Sequence, residues 1–172
     1  MSVKLILGGA RSGKSRFAES LAHDPKHYIA TAQAFDAEMQ ERIRVHQVQR
    51  GTSWVTHEEP VELVSRLQKL DHPLNFILVD CLTLWLSNLL LTDADCEAAI
   101  QHLVRQLEDA AAQIVIVSNE VGLGIVPDNH LARRFRDIQG LANQRVASIA
   151  SNVVFMAAGI PLMLKGPLPA AQ

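Results

Sequence analysis

The sequence predicts an α/β fold in three layers, in which helices cover both faces of a mostly parallel central sheet. Uninterrupted apolar runs at residues 76–79 and 114–117 are typical of central parallel strands, because such strands are buried on both faces. Segments with helical patterns alternate with these and other short apolar segments along the chain. This alternation indicates strand–helix–strand crossover units, and therefore parallel pairing.

The first half of the chain alternates three predicted strands with three predicted helices. The second of these helices is rich in charged, helix-forming residues and places Met39 and Ile43 four apart on one face. Asp36 suits its N-cap, and Pro60 suits the first turn of the third helix. In chain order the elements are strand 3–7, helix 14–22, strand 27–31, helix 36–50, strand 54–56 and helix 60–70.

The second half of the chain continues the same pattern and ends in two closing strands. A glycine-containing loop at residues 122–127 separates a buried strand from a long helix, and the tail from residue 167 is expected to fray. In order, the elements are strand 76–79, helices 82–91 and 94–112, strand 114–117, helix 129–151, and strands 153–156 and 162–164.

Length and composition limit the classes of protein that fit. The 172 residues suit a single domain over residues 1–172, and 48% hydrophobic with 20% charged residues is ordinary for a globular chain. A net charge of −2 argues against a nucleic-acid partner. The most apolar stretch, residues 82–91, is about half the length of a membrane span, and no signal segment is evident, so we expect a cytoplasmic protein. Two cysteines make no disulfide framework, and Cys81 is expected to be a core residue.

A glycine-rich loop follows the first strand and carries the strongest motif of the sequence. It reads Gly-Gly-Ala-Arg-Ser-Gly-Lys-Ser and matches the Walker A pattern GxxxxGK(S/T), with a strand before it and a helix after it. Its backbone N–H groups and the helix N-terminus would face phosphate oxygens. The sequence therefore predicts a P-loop NTPase-type fold; the alternative is an accidental match by a glycine-rich turn. The predicted nucleotide-binding residues of the loop are Gly8, Gly9, Ala10, Arg11, Ser12, Gly13, Lys14 and Ser15.

Asp80 is the candidate partner of this loop. It ends the apolar run at 76–79, where a Walker B carboxylate is expected. Together with the Ser15 hydroxyl it predicts a Mg²⁺ site, while Lys14 would place its ammonium group at the β- and γ-phosphates. The alternative interpretation is a solvated aspartate at the end of a strand.

The Walker A motif alone leaves the type of enzyme open. The guanine-reading motif NKxD of switch GTPases is absent, since residues 118–121 resemble it only superficially, and the chain is small for a motor. A small-molecule kinase is the leading generic interpretation, and a non-catalytic nucleotide-binding protein is a further alternative.

Arg42, His46 and Arg50 are spaced four residues apart and so would share one face of the predicted helix 36–50. A neutral imidazole can attack phosphorus, and flanking guanidinium groups would stabilise the charge that develops. A solvated polar helix face has the same spacing, so the spacing alone does not make His46 catalytic.

Several stretches together resemble the bifunctional adenosylcobinamide kinase/adenosylcobinamide-phosphate guanylyltransferase family of cobalamin biosynthesis. They occur in the order of the family from about residue 5 to residue 165. One small departure is Ser151-Asn152, where the family often has Ala-Asp. The matching blocks are 8–16 with 18–19; 28–32; 38–43 with His46, Arg50, Trp54 and 58–60; 79–83 with 88–90; 118–122 with 124–127; and 133–137 with Gly140, 143–144 and Ala147.

The resemblance implies two reactions and a trimeric assembly. A hydroxyl of adenosylcobinamide takes a phosphoryl group from ATP or GTP, and GMP from GTP is then transferred to adenosylcobinamide phosphate with release of pyrophosphate. The family forms a covalent GMP–histidine, and His46 is the matching position. The resemblance also implies a homotrimer with clefts shared between subunits.

The resemblance implies further site residues as well. Glu58 could accept hydrogen bonds from guanine, and Arg50 could hold the α-phosphate. Corrinoid or subunit contacts would fall to Asn119, Glu120, Arg133, Arg136 and Asn143. Nucleotide contacts beyond the P-loop and Asp80 would come from Thr31, Ala32, Gln33, Gln47, Val48, Gln49, Arg50 and Glu58.

Overall fold

The computed structural model describes residues 2–34, 40–41 and 53–169, and these residues contain one seven-stranded sheet. The strands are β1 (Ser2–Gly8), β2 (Lys26–Ala30), β3 (Val55–Glu58), β4 (Phe76–Asp80), β5 (Gln113–Asn119), β6 (Asn152–Ala157) and β7 (Ile160–Lys165). They lie in the order β3-β2-β4-β5-β1-β6-β7. Every neighbouring pair is parallel except the last, in which β7 runs antiparallel to β6.

Five helices of the described ranges cover the sheet, and none of them is long and apolar enough to cross a membrane. The helices are α1 (Lys14–Glu19), α2 (Leu63–Leu70), α3 (Leu82–Leu91), α4 (Cys96–Asp109) and α5 (His130–Ile149). Helix α4 starts at the N-cap Asp95, whose side chain accepts the Ala98 N–H, and α5 starts in the same way at Asn129, which accepts the Ala132 N–H.

The central strands bury side chains on both faces of the sheet. In β4, Ile77 and Val79 join the core beneath α2, α3, α4 and α5, whereas Phe76 and Leu78 join the core beneath α1. This alternation follows from the two-residue period of a strand and explains why the run contains no polar residue before Asp80. The three-layer α/β fold with a mostly parallel sheet is therefore confirmed.

Most predicted elements of the described residues are present, whereas the predicted helix 36–50 lies outside those residues apart from 40–41 and stays a prediction. Two predictions differ from the structure, and the first concerns helix α1, which ends at Glu19 and not near residue 22. The placement of Pro60 in a first helical turn is wrong, because α2 begins at Leu63. The Pro60 carbonyl instead accepts a hydrogen bond from the Asn88 side chain, which holds this residue in the connection before the helix.

Asn88 connects β2, β3 and α3 at the edge of the sheet where the parallel strands end. Its side chain is buried in α3 and donates to the Thr31 carbonyl at 2.8 Å and to the Pro60 carbonyl at 2.9 Å. Thr31 directly follows β2, and Pro60 follows β3. One amide group therefore fixes the ends of two strands against the helix layer.

Replacement of Asn88 by alanine should lower the free energy of unfolding by about 1–3 kcal/mol, because both carbonyls lose a buried donor. Urea denaturation measures this change. Leu91→Ala is the matched control in the same helix; Leu91 is 62% exposed, and its replacement should change stability by less than about 0.5 kcal/mol. Equal effects of the two substitutions would contradict the role given to Asn88.

Candidate active site

The carboxyl ends of the six parallel strands β1 to β6 lie at one edge of the sheet. In the register of the sheet, Gly8 lies beside Asn119, and Ala30 lies between Glu58 and Asp80. Ligands of open α/β sheets bind outside this edge, since the loops that follow the strands converge there. The predicted Walker A loop, the predicted Walker B acid and Glu58 are thus placed on the same side of the molecule.

The P-loop requires glycine at two points of its backbone. Gly8 has a φ of 152°, and a Cβ there would come within 2.5 Å of the Met156 carbonyl oxygen. Gly13 has a φ of 93° at the start of α1, which side chains disfavour. The Gly159 N–H donates to the Ser12 carbonyl at 3.0 Å, so the β6–β7 turn supports the outer side of the loop.

Lys14 is buried within the loop, with 7% of its surface exposed. Its ammonium group donates to the Gly9 carbonyl and, at 3.4 Å, to the Ser12 hydroxyl. Burial lowers the pKa of Lys14, and the negative charge of Asp80 opposes that shift. Burial disfavours the charged form of the ammonium group. A phosphate group bound at the loop would stabilise that charge, so Lys14 is suited to binding an anion.

Ser15 and Asp80 are brought together across the sheet although 65 residues separate them in the chain. The Ser15 hydroxyl donates to Asp80 Oδ2 at 2.9 Å, and the Tyr28 hydroxyl donates to the same oxygen at 2.7 Å. Mg²⁺ binds oxygen at about 2.0–2.1 Å in octahedral geometry, so two neighbouring ligands lie about 2.9 Å apart. The hydroxyl and carboxylate oxygens of this pair therefore fit a magnesium ion in both chemistry and spacing.

Thr31 lies beneath the site and not on its surface. Its side chain is fully buried, donates to the Cys81 carbonyl at 2.7 Å and accepts the Cys81 N–H at 2.8 Å. The hydroxyl is thus used to join the ends of β2 and β4. In this conformation Thr31 supports Asp80 and offers no side-chain surface to a nucleotide.

The other predicted nucleotide contacts divide into two groups. Ala32 and Gln33 are partly exposed just after β2, and Glu58 is exposed at the end of β3. All three therefore present surface at the edge where the P-loop lies. Arg42, His46 and the residues 47–50 lie outside the described residues.

The residues expected at a corrinoid or subunit contact differ in burial and in hydrogen-bond partners. Asn143 is buried, accepts the Ser118 hydroxyl at 2.7 Å and donates to the Asn119 carbonyl at 3.2 Å. In this conformation Asn143 connects α5 to the end of β5, and its part in a corrinoid or subunit contact stays a prediction. Arg133 donates to the carbonyls of Pro127 and Asp128, whereas the guanidinium of Arg136 pairs with Asp137 on the surface of α5.

Three residues of the site were missed by sequence reasoning. Tyr28 supports Asp80, Thr83 accepts the Asn119 N–H at 2.8 Å, and Gln139 donates to Ser118 and Asn143. For Tyr28 a usable signal existed, because a tyrosine within a buried strand needs a partner for its hydroxyl. The other two occupy helical positions whose polar character looks like a solvated face.

A cavity of about 1120 Å³ opens beside the P-loop. Arg11, Lys14, Ser15 and Arg16 contribute basic and polar groups to its wall, and the β6–β7 turn closes one side through Ala158 and Gly159. The two arginines are exposed, so they are available to negatively charged ligands. Glu19 also lines this cavity, whereas Asp80 does not.

Fold and site together define a P-loop nucleotide-binding protein: the glycine-rich loop follows β1, helix α1 begins at its end, and the acid follows the apolar strand β4. The sequence of residues 4–164 matches the model of the family described as cobinamide kinase / cobinamide phosphate guanyltransferase. The chain belongs to this family, which confirms the assignment made from the sequence.

Similar proteins from three bacteria carry matching names. The chain is 47% identical to the bifunctional adenosylcobalamin biosynthesis protein CobP of Pseudomonas aeruginosa, covering 94% of this chain and 96% of the relative. It is 39% identical to the bifunctional adenosylcobalamin biosynthesis proteins CobU of Escherichia coli and of Salmonella typhimurium, each covering 94% of this chain and 98% of the relative. The similarity therefore extends over nearly the full length of these proteins.

The buried thiol of Cys81 should make the free energy of unfolding depend on pH. Burial, reinforced by the charge of Asp80, raises the pKa of Cys81 to about 12. In the unfolded chain the thiol ionises near pH 8.5–9, so the folded state holds the proton more tightly and stability must fall as pH rises between about 9 and 12. The loss attributable to this group is at most about 1.4 kcal/mol per pH unit.

Urea denaturation of the protein and of Cys81→Ala between pH 8.5 and 10.5 measures this effect. The difference in unfolding free energy between the two proteins should shrink as pH rises, because alanine cannot ionise. Parallel curves over the whole interval would show that Cys81 is not held as a neutral thiol.

Proposed function

We propose that this chain catalyses both reactions named by its family, as a cobinamide kinase and a cobinamide-phosphate guanylyltransferase of adenosylcobalamin biosynthesis. In the first reaction, a hydroxyl of adenosylcobinamide takes the γ-phosphoryl group of ATP or GTP. In the second, GTP supplies GMP to adenosylcobinamide phosphate, giving adenosylcobinamide-GDP and pyrophosphate. The observation that carries this proposal is the Ser15–Asp80 contact beneath a complete Walker A loop, in a chain that matches the family from residue 4 to residue 164.

The P-loop supplies the binding energy and the charge for both reactions. Gly8, Gly9 and Gly13 carry no Cβ that would keep the backbone away from the phosphates, and the N-terminus of α1 adds positive potential. Lys14 neutralises the β- and γ-phosphates, so it lowers the barrier when pyrophosphate departs. Arg11 is an exposed residue of the loop itself and would meet the same charge.

Ser15 and Asp80 would hold Mg²⁺, since their oxygens fit two neighbouring ligand positions. When bound, the ion neutralises charge on the phosphate oxygens and orients the chain of phosphates. Tyr28 keeps Asp80 in place through its hydroxyl, and Thr31 fixes the backbone that follows Asp80. We therefore assign Thr31 a positioning role in nucleotide binding.

His46 is the proposed nucleophile of guanylyl transfer. A ring nitrogen of the neutral imidazole forms a bond to the α-phosphorus of GTP, while the bond from that phosphorus to the bridging oxygen breaks and pyrophosphate leaves with the electron pair. A phosphate oxygen of adenosylcobinamide phosphate then attacks the same phosphorus, and histidine departs as neutral imidazole. The proposal rests on the motif and the family, since His46 lies outside the described residues.

Recognition of the nucleotide is assigned to three segments. Glu58 is exposed at the carboxyl edge and would accept hydrogen bonds from the N1–H and N2–H₂ groups of guanine. Ala32 and Gln33 border the same edge. Arg50, with residues 47–49, would contact the α-phosphate or its neighbours beside His46.

Four further expectations stay predictions. The chain is expected to work as a homotrimer with clefts shared between subunits, in the cytoplasm, and as one catalytic domain over residues 1–172. No nucleic acid is expected among its partners, because the net charge of −2 offers no general attraction to a polyanion.

Incubation with GTP labelled at the α-phosphorus should transfer label to the protein, because the histidine pathway leaves GMP bound through a P–N bond. The label should be acid-labile and stable in base, and it should be released by adenosylcobinamide phosphate. His46→Ala should abolish this labelling. GTP labelled at the γ-phosphorus should leave no label on the unaltered protein.

His102→Ala is the matched control, because His102 is exposed on α4 and carries no assigned role. Its labelling should equal that of the unaltered protein. Label that persists in His46→Ala would reject the assignment of the nucleophile. Kinase activity toward another metabolite, with cobinamide inert, would reject the proposed acceptor.

A further inference from the structure

The loop between β5 and α5 exposes an unusual run of apolar side chains at the carboxyl edge. Within residues 121–126, Leu123 is 81% exposed, Ile125 98% and Val126 61%, and Val121 is exposed as well. Isolated exposed apolar residues are common on proteins, but a contiguous group at a ligand-binding edge is a mark of a binding surface. We refer to residues 121–126 as the apolar loop.

The apolar loop is firmly anchored at its start. The Glu120 N–H donates to the Gly8 carbonyl at 3.1 Å, and the Asn119 N–H donates to the Thr83 hydroxyl at 2.8 Å. The buried Asn143 side chain holds the Asn119 carbonyl. These contacts connect the start of the loop directly to the first residue of the P-loop.

The end of the loop is anchored too. Arg133 donates to the carbonyls of Pro127 and Asp128 at 2.9 Å and 2.7 Å, and Asn129 caps α5 by accepting the Ala132 N–H. The exposed side chains are therefore presented between two fixed points. Rigid supports with exposed apolar side chains between them are typical of preorganised binding elements.

We infer that the apolar loop binds the corrin ring of the acceptor substrate, an inference that rests on the proposed function. The acceptor must bring its hydroxyl or phosphate to the phosphates in the P-loop, and the loop begins at Asn119, the register partner of Gly8. A corrin ring offers broad hydrocarbon faces fringed by methyl groups and amide arms. Leu123, Ile125 and Val126 match the faces, while Glu120 and Asn119 at the base of the loop carry polar groups for the arms.

The size of the loop favours a small ligand over a second protein chain. A standard protein interface draws on about 20–30 residues from each partner. The apolar loop has six residues, 121–126, between Glu120 and Pro127, so by itself it is far smaller than such an interface. A contact between two copies of this chain is the alternative occupant and is separated from the corrinoid by the experiment below.

The test uses protein that has been loaded with labelled GMP by GTP alone and then challenged with adenosylcobinamide phosphate. Leu123→Ser and Ile125→Ser should each raise the concentration needed for half-maximal release of label about tenfold or more, because each removes an apolar contact with the ring. Loading by GTP should be unchanged in both, since it does not involve the acceptor. Leu123→Ile should release label as the unaltered protein does.

Leu74→Ser is the matched control. Leu74 is 66% exposed but precedes β4, so it lies at the opposite, amino edge of the sheet, and its replacement should leave release unchanged.

The inference is overturned if the loop variants release label normally, if Leu74→Ser slows release equally, or if the loop variants fail to load GMP. A changed molecular mass in light scattering, with or without slower release, would assign the loop to a contact between copies and also overturn it. Absence of loading in the unaltered protein would reject the proposed function instead.

Discussion

The hydrogen bond from Ser15 to Asp80 is the contact on which the arrangement of the site depends. The two residues belong to the start of α1 and the end of β4, and β5 lies between β4 and β1 in the sheet. Parallel register brings their backbones to the same edge, and Tyr28 and Thr31 then hold Asp80 from the side of β2. Sheet topology therefore places a hydroxyl, a carboxylate and the P-loop cation within one small region.

The Walker A loop, the central strands and Asp80 could be predicted from the sequence, because each of them is marked by a local sequence pattern. The Walker A loop is defined by consecutive residues whose backbone geometry leaves little choice, as the positive φ angles of Gly8 and Gly13 show. The apolar strands β4 and β5 are recognisable because both of their faces are buried. Asp80 could be assigned as the end of such a strand without knowing what lies opposite.

Other parts of the site depend on contacts between distant residues, and sequence patterns do not contain them. Thr31 and Asn143 both looked like candidate binding residues, yet each is buried and spends its polar group on the backbone of another element. Pro60 has the composition of a helix start but is held outside α2 by Asn88. For Pro60 a tertiary hydrogen bond overrides the local preference for a helix start. Thr31 and Asn143 were candidates through the family resemblance, and only the packed sheet shows that both are buried.

The same topology places the proposed phosphate site and the proposed acceptor site at different strands of one sheet edge. The P-loop and Asp80 would hold the phosphates between β1 and β4, while the apolar loop extends from β5, the strand between them. Donor and acceptor would therefore meet above β5. Because both would bind at one edge, the same phosphate site would serve two successive reactions, the first on a hydroxyl and the second on a phosphate.

A crystal structure with Mg²⁺ and a GTP analogue that carries a methylene group between its α- and β-phosphates tests the central claim most directly. The analogue prevents transfer of GMP but leaves the phosphates intact. The account predicts an ion bound between Ser15 Oγ and Asp80 Oδ2, with Lys14 Nζ turned from the Gly9 carbonyl to the β- and γ-phosphates. Phosphates bound away from the loop, or an ion held elsewhere while the Ser15–Asp80 hydrogen bond persists, would contradict it.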